Sequence, residues 1–186
     1  MKRRALPIAA RCGWLAAGAL GLLLFTGAAA LAQQDDADDP DAPKWQEDAA
    51  PPPPAYSVDG LVDIELPGAR SRAVKIGIAP QTIQINQKTG VVRYVIVMRG
   101  SSAVNASYEG IRCDTAEYRV YARQTAGQPW ETVKAGTWQP MRGDRSAPYP
   151  LLLARGGVCL GTTVNVSPEA IVHALQSGRG VNDGQG

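Results

Sequence analysis

The chain has 186 residues, 45% of them hydrophobic and 19% charged, with a formal net charge of +2. That balance fits an ordinary globular chain of one principal domain and argues against a strongly basic nucleic-acid binder. A single histidine argues against most histidine-based acid–base or metal chemistry.

Lys2, Arg3 and Arg4 precede an uncharged stretch, residues 13–32, rich in Ala, Gly and Leu. Ala30-Leu31-Ala32 has the small-x-small pattern of a signal peptidase site, and Gln33 opens an abruptly polar run. The pattern predicts a secretory signal peptide over residues 1–32, cleaved after Ala32, and hence an exported protein. An uncleaved anchor is the alternative, because residues 13–32 approach the roughly 20 needed to cross a bilayer. Gly27 and the missing basic stop-transfer cluster weigh against it. Arg3-Arg4 lacks the rest of a twin-arginine motif, and Cys12 follows Arg11 where lipidation needs small residues, so Sec-type export is expected. Cleavage removes Lys2, Arg3, Arg4 and Arg11, leaving 15 basic against 17 acidic residues, a net charge of −2.

Residues 33–55 read as a disordered acidic and Pro-rich linker. Asp35, Asp36, Asp38, Asp39 and Asp41 leave little apolar surface to offset chain entropy, and Pro51-Pro52-Pro53-Pro54 favours an extended spacer. Trp45 is the exception. An indole in a solvated tail is expected to dock, either on its own domain or on a partner.

One domain is expected over residues 56–178, built mainly of strands. Residues 61–66 form a short apolar run, residues 74–78 alternate, and Ile83 and Ile85 alternate with polar neighbours. Residues 86–90 signal a turn into the strongest strand, residues 91–99. Val92, Tyr94, Ile96 and Met98 share one face of it, while Arg93, Val95, Val97 and Arg99 share the other. Apolar residues on both faces predict a central strand covered on both sides. After a turn at residues 100–102, residues 104–111 form the returning strand. In residues 117–123, Tyr118, Val120 and Ala122 are expected to face inward, with Arg119, Tyr121 and Arg123 opposite. The regions of Trp130 to Val133 and of Trp138 read as a short hairpin. Residues 148–155 predict a short helix ended by Gly156-Gly157. Ser167 as N-cap, Pro168 at the first position, the Ile171, Val172 and Leu175 face and Gly178 as C-cap predict a C-terminal helix. Residues 179–186 read as a flexible tail. The expected class is α+β: a single small domain, mainly antiparallel sheet, with a short helix and a C-terminal helix.

Once Cys12 leaves with the signal, Cys113 and Cys159 remain, and in an oxidising compartment an intramolecular disulfide is expected, with an intermolecular bridge as the alternative. Two cysteines and one histidine make no tetrahedral zinc site without carboxylates, so no metal is expected. His173 lies about 200° around the helix from Ile171, away from the apolar face. No nucleophile elbow and no phosphate-cradling loop occurs. Glu109, Asp114 and Glu117 are the remaining acid–base candidates, but Arg112 and Arg119 are expected to neutralise them, with Arg112 paired to Glu109. Arg93, Arg99, Arg119, Arg123 and Tyr121 read as solvated sheet surface, and nucleic acid is not an expected partner.

Gly90-Val91-Val92-Arg93-Tyr94, Tyr108-Glu109-Gly110-Ile111-Arg112-Cys113 and Tyr118-Arg119-Val120-Tyr121-Ala122, with Trp45-Gln46-Glu47, Trp130, Trp138 and Cys159, resemble the uncharacterised cryptic neisserial protein-like family, small exported proteins of Gram-negative bacteria. The resemblance implies a periplasmic location and a paired Cys113 and Cys159. It implies no activity, cofactor or catalytic residue. Arg93, Tyr94, Glu109, Gly110 and Arg112 are carried forward as a structural or binding motif. The functional expectation is a non-enzymatic binding or envelope-accessory domain with an envelope protein or ligand as partner and no stable membrane anchor. The alternative is a small periplasmic hydrolase using Glu109 or Glu117.

Protein recovered from the periplasm is expected to begin at Gln33, which intact-mass analysis checks. Retention of residues 1–32 in a membrane fraction overturns the cleavage.

Overall fold

The structure is a computed structural model that describes residues 44–66, 74–134, 136–142 and 148–178. The signal segment expected over residues 1–32, with the cleavage site expected at Ala30, Ala32 and Gln33, and the tail expected from residue 179 lie outside the described residues. In chain order the strands are β1 (Val62–Ile64), β2 (Lys75–Ile78), β3 (Gln84–Asn86), β4 (Val91–Arg99), β5 (Val104–Arg112), β6 (Glu117–Thr125), β7 (Glu131–Thr132) and β8 (Gln139–Pro140). Helix α1 (Tyr149–Leu153) runs into a wide turn over Ala154–Val158, followed by β9 (Cys159–Leu160), β10 (Thr163–Val164) and helix α2 (Pro168–Ser177). The domain is therefore mostly antiparallel sheet with two helices, compatible with the expected α+β class.

β4 is the axis of the sheet because its β-branched run suits a doubly buried strand, and residues 91–97 are all buried. It pairs with β5 along nine residues on one side. Its other edge is shared by β2 and β3, with the short turn Pro80–Thr82 between them. The buried Thr82 hydroxyl closes that gap: it donates to the Ala79 carbonyl at 2.6 Å and accepts from the Val95 N–H at 2.9 Å, so no ladder group of β4 is orphaned there. β1 pairs with β2 at the far edge. The segments around Trp130 and Trp138 do not form the expected hairpin; β7 and β8 each pair with β6, at opposite ends of it.

One face of the sheet, carrying Val92, Tyr94, Ile96, Ile111 and Tyr118, packs on Leu153, Val158 and Ile171 of the helical layer. Gly157, at φ +147°, lets the wide turn touch α2; a Cβ there would lie 2.4 Å from that of Ala174. Ser167 caps α2 by accepting from the Ala170 N–H, and Gly178 ends it at φ +65°. The second face, with Val95, Val97, Tyr108, Tyr121 and Ala122, is covered by Ala50, Tyr56 and Leu61 from the N-terminal segment and by Trp130. Of the stretch read as a linker, residues 33–55, residues 44–55 have no regular secondary structure but lie against the sheet, which corrects the reading for that part; residues 33–43 lie outside the described residues.

The register of β5 with β6 shifts between Tyr108 and Glu109, where Tyr108 pairs with Ala122 but Glu109 with Val120. Tyr121 is the extra residue of a bulge. Alternation therefore resets, so that Tyr121 and Ala122 both serve the second face and Arg123 passes to the first, opposite to the faces read from the sequence for Ala122 and Arg123.

Cys113 and Cys159 are bonded across 46 residues with Cα atoms 5.7 Å apart, tying the end of β5 to the β9–β10 hairpin. Chain-entropy closure of such a loop is worth about 4 kcal/mol, less any native strain. Cys113→Ser is expected to lower unfolding free energy by about 2–4 kcal/mol in denaturant titration, and unreduced protein that begins at Gln33, and so lacks Cys12, is expected to yield no free thiol before reduction and two after it.

Candidate functional site

Arg93 on β4, Gly110 on β5 and Arg119 on β6 are direct neighbours across three strands and share the second face. Gly110 contributes no side chain between the two arginines. The bulged Tyr121 swings into that space, and a Cβ on Gly110 would come within 2.5 Å of its hydroxyl oxygen. A glycine inside a strand often marks such a close approach. The result is a concave set of two guanidinium groups and one phenol on the sheet.

Glu47 fills it. Its carboxylate accepts from Arg93 Nη2 at 2.8 Å, from Arg119 Nη1 at 3.0 Å and from the Tyr121 hydroxyl, and Arg93 Nη2 also reaches the Asp48 carbonyl at 3.2 Å. The Glu47 and Arg93 side chains are only 7% and 6% exposed. Burial alone would depress the Arg93 pKa, but its bonds to Glu47 and Tyr121 more than offset this and hold it above its usual value. Burial, reinforced by the adjacent Glu47 carboxylate, pushes the Tyr121 phenol up, so it remains a donor. Removing one partner of such a pair leaves a buried charge uncompensated, which costs about 3–5 kcal/mol.

Two residues earlier, Trp45 lies under the Arg112 guanidinium, whose carbon is 3.6 Å from the ring centroid, and meets Trp138 edge-on at 5.8 Å. Its indole N–H donates to the Thr89 carbonyl at 3.1 Å, in the turn where Asn86 Oδ1 accepts from the Lys88 and Thr89 N–H groups. Arg112 also binds Asp114 at 2.9 Å and Glu117 at 3.5 Å. Asp48 pairs with Lys88 at the rim. Arg93, Arg112, Arg119 and Tyr121 thus form a seat for the Trp45–Asp48 segment, a covered surface and not the solvated one read from the sequence.

The expected Glu109–Arg112 pair does not form. Three residues apart on a strand, the two side chains leave opposite faces of the sheet. Glu109 is fully buried on the helical side, accepting from Tyr149 at 2.6 Å and from Tyr94 at 3.3 Å. Burial raises its pKa, opposed by the Tyr149 and Tyr94 bonds and by the more distant charge of Arg123. Tyr94 and Tyr149 are themselves pushed up, chiefly by burial and next by the Glu109 charge. This acid fastens α1 to the sheet and is fully buried among the described residues. Glu117 is held by Arg112 and by the Thr115 hydroxyl at 2.7 Å. His173 is exposed on α2. Among the described residues no cluster of three or more His, Cys, Asp or Glu is placed to hold a metal. Two surface cavities, of about 230 and 260 Å³, flank Asp63–Leu66 and the Cys113–Asp114 turn; neither contains Glu109, Glu117 or His173.

The motif Arg93, Tyr94, Glu109, Gly110 and Arg112 is therefore divided between two sites, with Arg93, Gly110 and Arg112 at the Glu47 seat and Tyr94 with Glu109 beneath α1. Sequence reasoning missed Glu47, Arg119 and Tyr121 as a unit. The spacing Trp45-x-Glu47 was the available signal, since residues i and i+2 of an extended segment point the same way.

The model of the CNP1-like family matches residues 40–176, which take in the Trp45–Asp48 segment and the whole described sheet, and the chain belongs to that family. This is compatible with the resemblance drawn from the β4–β6 motifs. No curated protein and no solved structure matches the chain.

Because burial raises Glu109 above its ordinary 4.5, the folded state favours the protonated acid. Its stabilising contribution is complete below that ordinary value and is lost as the pH rises through the raised one. As the pH rises above that ordinary value, the Tm of the wild type is expected to fall relative to Glu109→Gln, which does not titrate. Parallel thermal melts check this; a difference independent of pH overturns the raised acid.

Proposed function

We propose that this member of the CNP1-like family is a non-enzymatic, exported domain of the periplasm that works by binding another envelope component at the second face of its sheet. The observation that carries the reading is the carboxylate seat of Arg93, Arg119 and Tyr121, a recognition geometry with no reacting group beside it. Paired guanidinium donors with an aromatic neighbour suit binding of a carboxylate, not its transformation. The leader over residues 1–32 and the Cys113–Cys159 bond support an oxidising compartment. Among the described residues no helix is long and apolar enough to cross a membrane. The hydrolase alternative lacks support in the geometry, because Glu109 is sealed under α1 and Glu117 is ion-paired.

Photocrosslinking in intact cells tests the reading. A photoreactive residue at Gln46, on the outer side of the segment seated over the arginines, is expected to yield a discrete adduct in the periplasmic fraction. The same residue at His173, on the far helix, serves as the comparison. Adducts at His173 but none at Gln46 place binding elsewhere and overturn it.

A further inference from the structure

The Trp45–Asp48 segment is attached to the sheet in an unusual way. No described backbone–backbone hydrogen bond joins residues 44–55 to any strand. Its anchors are side chains: the Trp45 indole, the Glu47 carboxylate and the exposed Asp48, together with the Asp48 carbonyl. An extended chain presenting an aromatic residue and an acid two positions apart, both aimed at one surface, is how a bound peptide sits on its receptor. The seat also carries more donors than Glu47 uses. Arg93 Nε, Arg119 Nε and the hydroxyl of the fully buried Tyr108 have no hydrogen-bond partner.

We infer that residues 44–48 are an internal stand-in ligand, and that this seat takes an extended peptide of a partner protein carrying an aromatic residue followed at the second position by Glu or Asp. The inference rests on the binding reading above and names its ligand class. Charge supports this occupant: Arg93, Arg112, Arg119 and Lys88 line the path, and Glu47 and Asp48 answer them. The Arg112–Trp45 stack sets the aromatic position, and the Arg93–Arg119 fork sets the acidic one. A tethered ligand competes at an effective concentration of roughly millimolar, so a partner gains access when the segment opens. Opening costs little backbone bonding and returns the guanidinium groups to water.

The test uses a fluorescent peptide of residues 43–50 and the full mature chain. In the chain, the double variant Trp45→Ala/Glu47→Gln removes the internal ligand and leaves every arginine of the seat intact. It is expected to bind the peptide at least tenfold more tightly than the wild-type chain does. The same peptide with Glu47→Gln or Trp45→Ala is expected to lose at least tenfold, and binding is expected to weaken with added salt. A folded double variant, disulfide intact, that ignores the peptide overturns the inference, and if Gln46 crosslinks persist the broader binding reading survives alone. Should the double variant not fold, the single variant Trp45→Ala, which keeps Glu47 between Arg93 and Arg119, decides: tighter binding of the peptide than by the wild-type chain supports a separable ligand, and binding no tighter than wild type overturns it.

Discussion

A carboxylate buried between two arginines organises the second face of this sheet. β4 carries apolar side chains on both faces, and the helices cover only one of them. The other would leave Val95, Val97 and Tyr108 in water, with Arg93 beside them. Covering that face with chain means burying a guanidinium, and a buried cation without a counter-ion is far costlier than an exposed hydrophobe. Glu47 resolves the conflict at one point, and Tyr56 and Leu61 then complete the apolar cover downstream, with the Tyr56 hydroxyl donating to Gln124 at 2.8 Å.

Two backbone departures make the point contact possible. Gly110 leaves a gap in a row that would otherwise crowd three side chains, and the bulge at Tyr121 directs a phenol into that gap. On the opposite face the same row of strands holds Tyr94, Glu109 and Val120, so one bulge borders a cationic seat above the sheet and a sealed acid beneath it. The cationic seat and the buried acid are separated from each other by the strands. This is why Glu109 and Arg112, near in sequence, never meet.

Much of this was legible in the residues. The alternating β-branched run of β4, the Ser167 and Gly178 caps of α2 and the Cys113–Cys159 bond each rest on strong local rules, and all are present. Strand parity alone would have separated Glu109 from Arg112, since an odd spacing puts two side chains on opposite faces. The bulge at Tyr121 left no such trace: Tyr-Arg-Val-Tyr-Ala-Arg alternates well enough to hide an extra residue, and only pairing with β5 reveals it. Residues 44–55 were obscured by their surroundings. Proline and aspartate dominate the longer stretch 33–55, and composition averages over the two side chains, Trp45 and Glu47, that decide where residues 44–55 lie. β7 and β8 were too short to declare their partner, and β6 had two free stretches of edge to offer.

The seat also orders events in time. Glu47 is 72 residues from Arg119 and 74 from Tyr121, and its partners exist as a surface only after β4, β5 and β6 have assembled. Closing so long a loop before the sheet exists would spend chain entropy with no surface to reward it. The stretch synthesised before β4, β5 and β6 thus settles after them. Until it does, an apolar and cationic face stands open beside an untethered acidic arm, and any chaperone or neighbouring chain that meets the newborn protein meets it in that form.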